Sequence, residues 1–129
     1  MNREIKFRGK TLSGNWIYGL LTILTKDIDY NRKRGVYISN SLGLPFAYDV
    51  RPESVGQYIG LKDKNGIDIY EGDILNIRAI NYIVKYNNRE ARYVLFDSLN
   101  GVVKQFCSRS DSHLYDIVGN IYEKKDFWS

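Results

Sequence analysis

The dipeptide Asn65-Gly66, set between "QYIGLKDK" and "IDIYEGDIL", restricts the fold more than any other feature of the chain. Asn and Gly tolerate the positive φ angles of a tight reversing turn, and apolar residues alternate on both sides. Residues 55–61 and 67–70 therefore read as the two strands of a hairpin, with Ile67, Ile69, Ile74 and Leu75 competing for burial. Gly72, followed by Asp73, supplies a second tight turn before the run "ILNIRAI". Two reversals this close leave no room for a helix.

The rest of the chain repeats the pattern. "EIKFRGKT", from Glu4, alternates Ile5 and Phe7 with Lys6 and Arg8, as a strand with one buried face does. "SGN" turns the chain into "NWIYGLLTIL", which completes a first hairpin. A polar loop, "KDIDYNRKRG", leads to a short strand at Val36 to Ser39. Residues 41–54 contain both prolines and read as irregular, with a short strand near Tyr48 to Val50 or a helical turn at "PESV". That segment is the expected subdomain boundary, dividing 1–54 from 55–129. Beyond the central hairpin, "ILNIRAI", "YIVKYN" and "ARYVLFD" give three strands, "LNGVVKQFCS" a shorter one, and "LYDIVGNIYE" a closing strand with a bend or bulge at Gly119. Eleven Tyr, five Phe and two Trp reinforce a β reading, because flat side chains pack well on a pleated surface. The class expected is all-β, one compact unit of the small-barrel or sandwich kind.

The chemistry-bearing residues are sparse. Asp63, Asp68, Glu71 and Asp73 are oxygen donors of the kind that hold calcium, yet counting an EF-hand loop from Asp63 places Asp68 where Gly is required and Ile74 where Glu is required. They read instead as solvated or backbone-capping groups. His113 lies beside Ser110, Asp111 and Ser112, but neighbours on a loop do not converge as a catalytic triad must. Cys107 is the single cysteine, which excludes an internal disulfide and reads as a small core residue. The glycines form no nucleotide-binding motif. No catalytic residue, cofactor or metal is expected.

Two surface readings are left. Arg3, Lys6, Arg8 and Lys10 on one strand, with Arg32, Lys33 and Arg34 on the loop, form a basic set that fits a formal charge of +4 and would suit nucleic acid. The same pattern also suits the polar face of a half-exposed strand. Trp16, Tyr18, Tyr37, Phe127 and Trp128 are more aromatic surface than so small a core accommodates, which points to a homo-oligomer or a protein partner. The longest apolar stretch, "WIYGLLTIL", has nine residues and is too short to span a bilayer, and the charged start lacks a signal-peptide core, so a cytoplasmic protein is expected.

Taken together, "REIKFRGK", "GNWIYG", "VGQYIGLKDKNGIDIYEGDIL" and "DIVGNIYE", in that order and spanning nearly the whole chain, resemble the YopX family of small phage and prophage proteins. The resemblance implies a β-rich N-terminal part followed by a C-terminal part similar to an SH3-type barrel. It implies a phage context and carries over no catalytic residue; within that context a phage or host protein is expected as a partner beside a second copy of the chain.

Overall fold

The computed structural model describes residues 4–40, 47–106 and 109–123. Among them are eleven strands, two short 3₁₀ turns and no α-helix, so the chain is all-β as the alternation implies. It divides into two compact units, Met1–Gln57 and Tyr58–Ser129. Arg3, Cys107, Phe127, Trp128 and the segment 41–46 lie outside the described residues.

The first unit contains β1 (Phe7–Lys10), β2 (Trp16–Leu24), β3 (Gly35–Ser39) and β4 (Ala47–Val50). All pair antiparallel in the order β4-β3-β2-β1. Gly56 and Gln57, the first residues of β5 (Gly56–Lys62), pair with Arg8 and Phe7 on the far side of β1. Strand β2 is shared between two partners: β1 covers Trp16 to Gly19, and β3 covers Leu20 to Leu24. The changeover falls at Gly19, where a Cβ atom would lie 2.0 Å from the Ser39 carbonyl oxygen. Only a residue without a side chain lets the two backbones approach so closely.

One departure from the sequence pattern lies at this changeover. The alternation predicts a strand from Glu4, but pairing begins only at Phe7. Beyond Gly19, β2 continues along β3, and residues 4–6 are left without strand structure.

The sheet of the first unit curls back on itself. Val50 packs directly on Gly9, so that a Cβ at position 9 would lie 2.8 Å from Val50 Cγ2. The Arg51 N–H donates to the Lys10 carbonyl at 2.8 Å, and the Lys10 N–H donates to Ser54 Oγ at 2.8 Å. Ser54 ends the 3₁₀ turn Pro52–Ser54, the helical turn that "PESV" suggests, and its hydroxyl closes that turn on the Arg51 carbonyl at 2.7 Å. Ile38 and Val50 are the buried apolar residues among those described in the unit, and Gly9 makes room for Val50.

In the second unit the rest of β5 pairs with β6 (Asp68–Tyr70) around the Asn65-Gly66 turn. β7 (Asp73–Ile77), β8 (Ile80–Asn87), β9 (Arg92–Asp97), β10 (Val102–Gln105) and β11 (Asp116–Asn120) form an antiparallel sheet in the order β10-β9-β8-β7-β11. Its core gathers Ile69, Leu75, Tyr82, Val84, Leu95 and Tyr115, against which Ile77, Ile117 and Phe106 pack. A register shift between Ile117 and Gly119 bends β11 where the glycine predicts it.

Three expectations change. Neither sheet closes into a barrel among the described residues, so the SH3-type barrel expected for 55–129 is replaced by an open five-stranded sheet beside a hairpin. Ile67 is 56% exposed and does not join Ile69, Ile74 and Leu75 in burial, because it sits at the turn itself. The run "ILNIRAI" is not one strand: Arg78 and Ala79 form a two-residue turn with φ of 52° and 71°, joining β7 to β8. Such turns favour Asn-Gly, and here the pairing of two apolar strands imposes the conformation on residues that do not prefer it.

The packing of Val50 on Gly9 yields the first prediction. Gly9→Ala should destabilise the first unit by about 1–3 kcal/mol, since the stiff, buried valine cannot yield. Urea unfolding checks it, and an unchanged midpoint would refute the curled packing.

Candidate functional site

Two places in the molecule concentrate polar chemistry: the acid-rich turn of the second unit and the β1–β2 surface of the first. At the turn, Asp63 is buried at 4% exposure. Its Oδ1 accepts the N–H groups of Asn65 and Ile67, both at 2.9 Å, and its Oδ2 accepts the Ile117 N–H at 3.3 Å. The Lys64 N–H adds a bond to the Tyr115 carbonyl at 2.9 Å. Asp63 therefore shapes the Asn65-Gly66 turn and ties it to β11.

Asp73 is also buried, and its Oδ2 accepts the Tyr70 N–H at 2.8 Å across the second turn. Between them Gly72, at φ 94°, donates to the Val84 carbonyl and accepts from the Ile121 N–H. A Cβ at Gly72 would lie 2.9 Å from the Tyr122 ring, so space and backbone angle both require glycine. Asp68 pairs with Lys62 on the surface. Asp63, Asp68 and Asp73 thus face different partners. Among the described residues no group of three or more His, Cys, Asp or Glu side chains stands where a metal ion could be held.

The basic residues named from the sequence are placed as follows. Arg8 is 6% exposed, and its guanidinium carbon lies 4.8 Å from the centre of the Trp16 ring. Lys10 Nζ approaches the same ring at 5.8 Å, and Lys6 pairs with Glu4 at 3.4 Å. On the loop, Arg32 binds Asp29 through Nε and Nη2, which together with the Asn31 and Arg32 N–H groups holds the Asp29 carboxyl below its usual range. Lys33 Nζ stands 3.9 Å from Asp27 and 5.4 Å from the Tyr30 ring, and the Arg34 N–H donates to Asp27 Oδ1. Strand and loop do not form one open cationic stripe. Most of these side chains are engaged with rings or carboxylates of their own unit.

What the surface of the first unit does expose is apolar. Tyr18 and Leu20, in mid-strand on β2, are 47% and 60% exposed, and Ile5 and Ile23 are similarly open. The register places Lys10 opposite Trp16 and Arg8 opposite Tyr18, so cations and aromatics share one face. Leu20 was not singled out from the sequence. Its signal was there, since "WIYGLLTIL" is apolar at both odd and even positions and a half-buried strand needs only one apolar face. His113 is exposed in the 3₁₀ turn Arg109–Leu114.

No described helix is long and apolar enough to cross a membrane. The family model described as YopX protein matches residues 6–126. No curated protein matches the chain.

Two outcomes follow for the carboxylates. Asp63→Ala strands three part-buried N–H groups and should cost about 2–4 kcal/mol in urea unfolding, whereas Asp68→Asn should stay within about 0.5 kcal/mol. Equal effects would refute the clamp. Asp97 offers a pH test. The Asn100 side-chain amide, with the Asn100 and Leu99 N–H groups and Lys104, holds its carboxyl below the ordinary 3.8. A depressed carboxyl adds stability that is complete above its unfolded value and fades as pH falls through the folded one. Asp97→Asn should therefore flatten the acid limb below about pH 4 in a stability profile, and an unchanged limb would refute the assignment.

Proposed function

The chain belongs to the YopX family, and from that premise we propose a non-enzymatic accessory protein of a phage or prophage, working in the host cytoplasm by binding protein. The occupant is a copy of the chain itself or a phage or host protein. The observation that carries this reading is the mid-strand exposure of Tyr18 and Leu20 at 47% and 60%, on a strand built to be buried. Exposed apolar residues grouped on a regular element, with cations around them, have the composition of a binding face.

The chemistry of the molecule supports the same reading. The carboxylates that reaction chemistry would use, Asp63, Asp73 and Asp97, hold backbone N–H groups and shape turns. Nucleic-acid binding through Arg3, Lys6, Arg8, Lys10, Arg32, Lys33 and Arg34 is the weaker alternative. Of the described members, Arg8 is buried, and Lys6, Arg32 and Lys33 stand against carboxylates of the same unit.

A photo-crosslinking amino acid at position 18 or 20, with position 89 on the second unit as control, tests the reading in phage-carrying cells. One defined protein, or the chain itself, should be captured from 18 and 20 and not from 89. Capture of nucleic acid alone, or of nothing, would overturn it.

A further inference from the structure

We propose that the cleft between residues 4–6 and the Leu20 end of β2 takes up an extended, acidic segment of a partner polypeptide as an added strand; this rests on the protein-binding reading above. Phe7 opposite Gly19 is the last pair of the β1–β2 ladder. Continued, the register would set Lys6 opposite Leu20, but the chain departs there. A broad, shallow cleft lies there, lined by Glu4, Ile5 and Lys6, by Gly19 and Leu20 of β2, and by Ser39 and Asn40 at the end of β3.

The backbone of β2 supplies the docking groups. Leu20 to Leu24 pair with β3 along one edge only. In an antiparallel ladder alternate residues turn their N–H and C=O groups to the opposite edge, where no described residue is paired with this stretch. Strand addition uses such an edge, with main-chain bonds for affinity and side-chain contacts for selection. Ile5, Leu20 and Ile23, at 57%, 60% and 60% exposure, flank it and call for apolar residues in the incoming strand.

Charge sets the partner's sign. The first unit has nine basic and five acidic residues, the second ten of each, so the whole excess of +4 belongs to the unit that carries the cleft. A second copy would bring the same positive field against itself, whereas an acidic segment is drawn in. Nucleic acid has no amide backbone with which to extend the ladder.

The test uses the full chain, isotope-labelled, with a synthetic ten-residue peptide alternating Val and Glu, and amide exchange read by NMR. At saturation the peptide should slow exchange at amides within Leu20–Leu24 by about tenfold or more, with no change in β10, an edge strand of the other unit. Lys6→Glu should weaken its binding by about fivefold or more. A matching peptide alternating Val and Lys, and oligothymidylate, should protect nothing there. Unaltered exchange at 20–24, or equal protection by the Val-Lys peptide, would overturn the proposal. Crosslinking at position 18 with exchange at 20–24 unaltered refutes strand addition alone; failure of crosslinking from both 18 and 20 refutes the protein-binding reading beneath it.

Discussion

The buried carboxylate of Asp63 organises the second unit, because its two oxygens satisfy donors from parts of the chain that are far apart in sequence. Asn65 and Ile67 belong to the turn it sits in, while Ile117 lies on β11, fifty-four residues away. A buried amide without an acceptor costs more than an ordinary hydrogen bond returns, so the turn and the closing strand are secured together or not at all. Gly72 extends the same logic, since its N–H and C=O reach Val84 and Ile121 at the next reversal. The core of Ile69, Leu75, Tyr82, Val84, Leu95 and Tyr115 packs on a framework whose strand order these polar bonds fix. Apolar burial drives the collapse, and it is indifferent to register; the carboxylate is not.

The strongest local signals in the sequence were turn signals, and they located the second unit well. Asn65-Gly66, Gly72 and Gly119 each mark a reversal or a bulge, because residue type and backbone conformation are tightly coupled there. Arg78-Ala79 was illegible for the opposite reason: neither residue favours a positive φ, and the turn exists because β7 and β8 gain more by pairing than it costs. Barrel closure was illegible too. It depends on how many strands meet at the edges, and no residue of β10 or β11 encodes that locally.

At the candidate site the sequence conveyed charge and missed geometry. Alternation put Lys6, Arg8 and Lys10 on one face; the register agrees for Arg8 and Lys10, while Lys6 precedes the strand. It could not convey that Trp16 lies over Arg8 or that Asp27 and Asp29 engage the loop cations, since both depend on how the chain folds back. Exposed ion pairs of this kind add little stability. Their effect is to reduce the field that a polyanion would feel near the loop.

The first unit has a closed side and an open side, and the two meet at Gly19. Gly19 lets β2 pass within bonding distance of Ser39 and change partners in mid-strand. Past that point β3 and β4 carry the sheet round until Val50 meets Gly9 and the Arg51 N–H reaches Lys10. On the other edge of β2 the ladder with β1 ends at Gly19, and no described residue pairs with Leu20 to Leu24 there. Core closure and the open strand edge therefore meet at one residue: a side chain at position 19 would press on Ser39 at the point where both begin.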